Sequence, residues 1–253
     1  SDLRELAGFA DVTVALTDAT ALLLQSSGVD SVRVIRPAVP LPEAQPAGAY
    51  RQRLAFAHPE LELGDRPLFV YPGDLEFSTG AQTFVDAAAL LHAEHPEARF
   101  VLACRPKTEA ARVARERLRR RAAGHGLVDT LRFLGVVADM PALLGAATAI
   151  ALPVDSLFAK VDTPLVLLEA MALATPCVVA DVLQLAELAS LGEGVRVVPK
   201  RDPERLAAEL ALLAESPSRA RRLGAGARRT VASHFRPETM AAAYEDLYRE
   251  VLG

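Results

Sequence analysis

Short apolar runs alternate with amphipathic stretches along most of this 253-residue chain. Uninterrupted apolar runs predict buried strands, and apolar positions three or four apart predict helices. The predicted strands are 11–16, 31–35, 68–71, 99–103, 130–133, 149–152, 177–180 and 195–198. The predicted helices are 18–27, 50–57, 80–94, 109–124, 139–146, 164–172, 183–189 and a helical tail from 203 onward. Fully apolar strands separated by helices indicate an α/β fold with a doubly wound parallel sheet.

One proline-rich segment interrupts this alternation. Four prolines fall between Arg36 and Ala47, which predicts an extended linker and a domain boundary. The residues before it form one strand-helix-strand unit, which we interpret as a remnant of a second α/β domain. Because the chain starts at Ser1 and its first recognisable element is already a buried strand, we expect a longer protein or a partner that supplies the rest.

Composition excludes several classes of function. A net charge of −4 and a pI near 5.8 give no general attraction to nucleic acid or to an anionic membrane. The basic stretch from Arg112 to Arg121 is predicted to be an exposed helix face. No apolar run approaches the ~20 residues of a membrane span. Cys104 and Cys177 both lie in apolar runs, so we expect core thiols and a reducing, cytoplasmic location.

Candidate chemistry concentrates at the predicted carboxyl ends of the strands, where ligands bind in such folds. Gly73 allows the backbone to approach a ligand closely. Arg105 and Lys107 follow the strand at 99–103 and are candidate contacts for a diphosphate, or else solvated loop charges. Lys160 precedes the helix at 164–172 and is a candidate for the same anion.

Glu169 is the single carboxylate in an otherwise apolar helix. Asp162 or Thr163 is predicted to cap this helix, with Pro164 in its first turn and free amides available to an anion. The spacing of Leu165 and the later apolar residues places Glu169 near a sheet-facing surface. The alternative is that Glu169 belongs to a solvated face or pairs with an arginine.

Other familiar chemistries find no support in the sequence. The five histidines are scattered, with no pair at metal-ligand spacing near a carboxylate cluster, so no metal site is predicted. Neither a Ser-His-Asp order nor a G-x-S-x-G elbow is present, which disfavours a hydrolase. No G-x-G-x-x-G follows a predicted strand, which disfavours a dinucleotide site.

Four ordered motifs carry a resemblance to a known family. They are 69–73 (FVYPG) before a helix at Gly80, 131–135 (LRFLG) followed by 137–140 (VADM), the strand ending at 152–153 (LP), and 164–172 (PLVLLEAMA) followed by 175–179 (TPCVV). Together they resemble the C-terminal, donor-binding domain of retaining glycosyltransferases with the two-domain GT-B architecture, the glycosyl transferases group 1, which include glycogen and sucrose synthases. The resemblance implies a Rossmann-like domain at 48–236. It also implies the end of an N-terminal acceptor domain and a linker at 1–47, and a helix returning to that domain at 237–253.

The resemblance also implies roles for individual residues, and it shows where the sequence departs from the family. Glu169 matches the second of two family glutamates and would bind the ribose hydroxyls. The first glutamate falls on Val161, with Asp162 as its nearest substitute. The Arg and Lys that clamp the diphosphate in the family correspond to Asp74 and Thr79. The backbone at 133–135 would contact the base.

A set of donor-binding residues follows from the resemblance and the loop positions together. It comprises Glu169, Gly73, Asp74, Arg105, Lys107, Leu134, Lys160, Asp162, Thr163 and Leu165. Catalytic residues are not assigned.

The implied function is that of a retaining glycosyltransferase with a UDP- or GDP-linked sugar as substrate and no cofactor. Its expected partners are an unidentified acceptor and a missing N-terminal domain or partner subunit, but no nucleic acid. The resemblance leaves open a peripheral membrane association through the missing domain. The alternative is a degenerate domain that serves as a non-catalytic binding or structural subunit.

Overall fold

The computed structural model describes residues 9–43, 45–46, 48–158 and 160–253. The strands are β1 (Thr13–Ala15), β2 (Val32–Val34), β3 (Leu68–Tyr71), β4 (Arg99–Ala103), β5 (Leu131–Leu134), β6 (Ala149–Leu152), β7 (Cys177–Ala180) and β8 (Val195–Val198). The helices are α1 (Asp18–Ser26), α2 (Ala49–Ala57), α3 (Gly80–Glu94), α4 (Glu109–Gly124), α5 (Met140–Ala146), α6 (Leu165–Ala172), α7 (Leu183–Ser190), α8 (Pro203–Glu215), α9 (Pro217–His234) and α10 (Pro237–Leu252), with a 3₁₀ turn at Pro59–Leu61.

Six strands form one parallel sheet in the order β5-β4-β3-β6-β7-β8. The central strands pair in register, with Val70 opposite Val101 on one side and Ile150 on the other. All three side chains are fully buried, because helices cover both faces of the sheet. This confirms the predicted α/β fold with a doubly wound parallel sheet.

The strand order reverses between β3 and β6, which are neighbours in the sheet although far apart in the chain. From β3 the chain proceeds outward to β4 and β5 on one side, and from β6 to β7 and β8 on the other. The segments that follow β3 and β6, residues 72–79 and 153–164, therefore face each other at the carboxyl edge. Ligands of open α/β sheets bind in the crevice that such a reversal creates.

A separate two-stranded parallel sheet, β1 and β2, packs with α1 at the start of the described chain. The carboxylate of Glu187 in α7 accepts hydrogen bonds from the amides of Asp18 and Ala19, at 3.0 and 2.9 Å, and so joins this unit to the large sheet. Arg33 of β2 forms an ion pair with Glu250 of α10 at 2.5 Å. The division of the chain into domains stays a prediction.

Two predictions about side-chain environment are confirmed. Cys104 and Cys177 are buried and unpaired, and burial raises the pKa of each thiol to about 12. The arginines of α4 between Arg112 and Arg121 lie mainly on its exposed face. Of the helices that the structure describes, none is long and apolar enough to cross a membrane.

Candidate functional site

Tyr71 supports the loop after β3 through a hydrogen bond and through packing against Gly73. Its hydroxyl donates to the carbonyl oxygen of Asp74 at 2.9 Å, and its ring is fully buried beneath Gly73. A Cβ atom at Gly73 would stand 2.3 Å from Cζ of this ring. Packing against Tyr71 therefore requires glycine at this position, whether or not a ligand approaches.

Asp155, in the segment after β6, occupies the start of α3. One of its carboxylate oxygens accepts from the backbone amide of Thr79 at 2.9 Å, and the other accepts from Arg201 at 2.6 Å. Arg201 lies beyond β8 and has a positive φ of 57°. The side chain of Asp155 is only 8% exposed. Sequence reasoning does not assign Asp155 or Arg201 to the site, because their contacts join segments that are far apart in the chain.

These contacts lead to a prediction about acid stability. Burial alone raises the pKa of Asp155, but hydrogen bonds from Thr79 and Arg201 outweigh it, so the pKa lies below its ordinary value. A carboxyl with a depressed folded-state pKa stabilises the protein above its ordinary pKa, near pH 4, and loses this contribution as the pH falls through the folded-state value. We expect Asp155→Asn to flatten the fall in unfolding free energy between about pH 5 and pH 2, measured by urea titration. The exposed control Asp129→Asn should keep the wild-type slope, and equal slopes in all three proteins would contradict the assignment.

Asp74 and Lys160, both predicted to contact a donor, form an ion pair with each other across the cleft. Their side chains are 18% and 17% exposed. The Asp74 carboxylate also accepts from the amides of Glu76 and Phe77, at 3.0 and 2.6 Å. Burial alone raises the pKa of Asp74, yet Lys160 and these amides bring it below its ordinary value. In this structure each charge neutralises the other, and the assignment of both residues to the donor site stays a prediction.

The start of α6 differs from the prediction. Pro164 occupies the position before the first helical residue, and neither Asp162 nor Thr163 caps the helix with its side chain. Thr163 is buried, at 1% exposure. Proline at this position has no donor of its own, and the first amides of α6 receive no side-chain acceptor among the described residues. The amides at the start of α6 are therefore open to another acceptor.

Glu169 and Leu165 lie on one exposed face of α6, since they are one helical turn apart and both are solvent-accessible. The expectation that Leu165 belongs to the buried apolar face is wrong, because Leu167, Leu168 and Met171 fill that side. Glu169 is exposed, as the alternative of a solvated face predicts. Glu169 has no described hydrogen bond or ion pair through its side chain, so the alternative of an arginine partner finds no support within the described residues.

The remaining candidates lie at the carboxyl ends of the neighbouring strands β4 and β5. Arg105 and Lys107 are exposed in the segment between β4 and α4, without a described ion pair. Leu134 ends β5 and is half-buried, and the carbonyl oxygen of the preceding Phe133 accepts from Arg115 at 3.1 Å. These residues share the carboxyl edge with the cleft, but the structure shows no contact that brings them together with Glu169. Within the described residues, no group of three or more His, Cys, Asp or Glu side chains is arranged to hold a metal ion.

Comparisons with solved structures show where this architecture recurs. Sucrose-phosphate synthase from Thermosynechococcus elongatus superposes with a TM-score of 0.83 at 24% identity, over 99% of this chain and 61% of that one. A glycosyltransferase from Rickettsia africae gives 0.83 at 17% identity, over 95% of this chain and 63% of that one. HepE from Anabaena in complex with UDP gives 0.84 at 18% identity, over 98% and 67%. This chain thus spans about three fifths of the length of the first two.

Comparison of the sequence with family profiles identifies the family of this chain. A search among curated proteins finds no match. The family profile described as glycosyl transferases group 1 matches residues 66–216, which run from just before β3 to the end of α8. Because that match covers more than half of the chain, the chain belongs to the glycosyl transferases group 1 family, and its six-stranded domain is the Rossmann-like domain of the GT-B architecture.

Proposed function

We propose that this chain is the donor-binding half of a retaining glycosyltransferase that uses a UDP- or GDP-linked sugar. An N-terminal domain or a partner subunit would supply the acceptor side, so the chain alone binds a nucleotide and transfers nothing. Membership of the glycosyl transferases group 1 supports the class of reaction. The complexes of HepE with UDP and with UDP-glucose support the class of ligand.

The observation that carries the proposal is the contrast between two helix starts at the cleft. A helix N-terminus has partial positive charge and unpaired amides, and it favours an anion. At α3 the amides of Thr79 and Gly80 already donate to side-chain oxygens of Asp155 and Ser78. At α6 no described side chain caps the helix. A diphosphate is therefore expected at α6, beside the loop in which Lys160 pairs with Asp74.

The exposed face of α6 extends this arrangement toward the nucleoside. Glu169 lies beyond the first turn, and its carboxylate can accept hydrogen bonds from two ribose hydroxyls. The backbone at Leu134 and Gly135, at the end of β5, would meet the base. Arg105 and Lys107 extend from β4, which lies between β3 and β5 in the sheet, and add positive charge near the diphosphate.

The same geometry suggests how the chain assists departure of the nucleotide. Cleavage of the sugar-phosphate bond leaves negative charge on the diphosphate oxygens. Amides and cations that are fixed before the reaction stabilise this charge without a metal ion. In this chain, the α6 amides would do so, together with Arg105 and Lys107 from the neighbouring loop. Retention of configuration at the transferred carbon is part of the proposal.

The ion pair between Asp74 and Lys160 supports a second candidate function. Asp74 stands where the family has an arginine, and it occupies a cation that a diphosphate would otherwise use. Val161, half-exposed, stands where the family has its first glutamate. A domain with these features can serve as a non-catalytic binding or structural subunit, in which the cleft no longer accepts a donor.

Calorimetry with nucleotides separates the two functions. The donor-binding function predicts that the chain binds UDP or GDP with a measurable heat. Binding should weaken with rising salt, because charged groups meet at α6. With a complete N-terminal half, a product whose anomeric configuration by NMR matches that of the donor would support retention, and the opposite configuration would contradict it. Absence of binding to UDP, GDP and ADP, with or without their sugars, would favour the structural subunit.

A further inference from the structure

Two exposed aromatic rings lie on the same two loops as the Asp74–Lys160 ion pair. Phe77, on the loop after β3, is 45% exposed, and Phe158, on the loop after β6, is 71% exposed. Their ring centroids are 6.2 Å apart, with an angle of 57° between the ring planes. The two loops thus meet twice across the cleft, once through charges and once through rings.

Local hydrogen bonds from backbone amides order the two loops around the rings and the charges. The Asp74 carboxylate that pairs with Lys160 also accepts from the Phe77 amide at 2.6 Å. On the opposite loop, the Phe158 amide donates to the hydroxyl of Ser156 at 3.0 Å, and the Lys160 amide donates to the carbonyl of Leu157 at 2.9 Å. The ring pair and the ion pair thus join the same two loops, and we name the four residues the aromatic-ionic cluster (Phe77, Phe158, Asp74 and Lys160).

The chemistry of this cluster does not match a phosphate. An ion pair has no net charge, so it attracts an anion less than an isolated lysine does, and Asp74 repels one directly. Hydroxyl groups suit it better, because each hydroxyl can donate to the carboxylate and accept from the ammonium. Exposed aromatic rings need an apolar partner to leave water. A pyranose ring offers both, with hydroxyls at its rim and C–H groups on its faces.

We propose that the aromatic-ionic cluster is a sugar subsite that takes an uncharged pyranose, with one face of the sugar on the Phe158 and Phe77 rings and its hydroxyls on Asp74 and Lys160. As the subsite for the sugar of the donor, it rests on the proposed function. It assigns Phe77 and Phe158 a role as specificity-determining residues. It also explains why a carboxylate is tolerated near the expected diphosphate: Asp74 faces the sugar side of the cleft, and the α6 amides face the phosphates.

Paired ligands with and without the sugar test this subsite. In calorimetry with the 253-residue chain, Phe158→Ala should weaken binding of UDP-glucose, or of GDP-mannose if the base is guanine, by about tenfold. The same substitution should leave the affinity for UDP or GDP unchanged. Phe56→Ala, which removes a 91% exposed ring from α2, is the matched control and should change neither affinity. An equal loss for the nucleotide with and without its sugar, or no loss for either, would overturn the subsite.

A second measurement keeps the subsite separate from the proposed function. Saturation-transfer NMR with methyl α-glucopyranoside should show transfer from the wild-type chain to the ring C–H protons of the sugar, and loss of that transfer in the Phe77→Ala/Phe158→Ala double variant. Both residues are exposed, so the double variant should unfold at the wild-type temperature. Transfer to the sugar without any nucleotide binding would support the subsite while contradicting the donor-binding function. Absence of transfer in the wild type would contradict the subsite.

Discussion

Glu169→Ala is expected to weaken nucleotide binding by about 10- to 100-fold, or ~1.4–2.8 kcal/mol, which is the net loss expected for one hydrogen bond to a charged group. The physical reason is that the carboxylate is exposed on α6, has no described partner, and lies on the carboxyl side of the sheet reversal. Calorimetry with UDP or GDP measures the change. The thermal stability of the variant should equal that of the wild type, because Glu169 makes no packing contact that the fold needs.

Two controls identify the group that Glu169 contacts. The wild-type chain should bind a ribonucleotide more tightly than its 2′-deoxy analogue, and Glu169→Ala should lose most of this discrimination. Glu94→Ala, which removes an exposed carboxylate near the far end of α3, should bind like the wild type. If Glu169→Ala keeps both the affinity and the preference for ribose, the assignment of Glu169 to the ribose is wrong.

Gly73→Ala is expected to lower the free energy of unfolding by about 2–3 kcal/mol, the upper range for overpacking of a well-filled core. The new methyl group would stand 2.3 Å from Cζ of Tyr71, and that ring is fully buried and has no room to retreat. The displacement should also break the hydrogen bond from Tyr71 to Asp74 and move the loop that holds the aromatic-ionic cluster. Urea denaturation measures the first effect, and UDP-glucose affinity the second.

A matched glycine and a compensating substitution make this result specific. Gly135→Ala adds the same methyl group after β5, where nothing lies within 4 Å, and should leave stability nearly unchanged. Tyr71→Leu removes the clashing ring, so the double variant Gly73→Ala/Tyr71→Leu should be more stable than the sum of the two single effects predicts. Strict additivity would show that Gly73 is required for some reason other than the tyrosine.

Much of the fold could be predicted from local pattern. β3, β4, β6, β7 and β8 have the predicted bounds. The first four are buried along their whole length, and β8 is buried at both ends. Predictions at helix starts were less accurate. Asp139 was predicted to begin α5, but its side chain caps the helix through the Ala142 amide at 3.0 Å. At α6, by contrast, Asp162 or Thr163 is predicted to cap the helix, but neither side chain does so.

The sequence predicts which residue types lie in the loops around the cleft. It does not predict which of their side chains contact each other. Lys160 and Asp74 were each recognised as cleft residues, yet their mutual pairing depends on two loops that are 86 positions apart. Asp155 and Arg201 illustrate the same limit, since the ion pair joins the segments after β6 and β8. Phe77 and Phe158 resemble ordinary loop residues in the sequence, and only their proximity and exposure distinguish them.

The sequence by itself determined the alternation of strand and helix, the carboxyl ends at which ligand chemistry concentrates, and the family motif around Glu169, because these depend on neighbours within one or two helical turns. The tertiary structure decided which charges remain available and which cancel. Asp155 accepts from the Thr79 amide at the start of α3, and Asp74 holds Lys160. The first amides of α6 have no side-chain acceptor among the described residues. The reason is physical: the energy of a charge depends on what lies within a few ångströms, and at this cleft the neighbours come from segments brought together only when the sheet reverses its order.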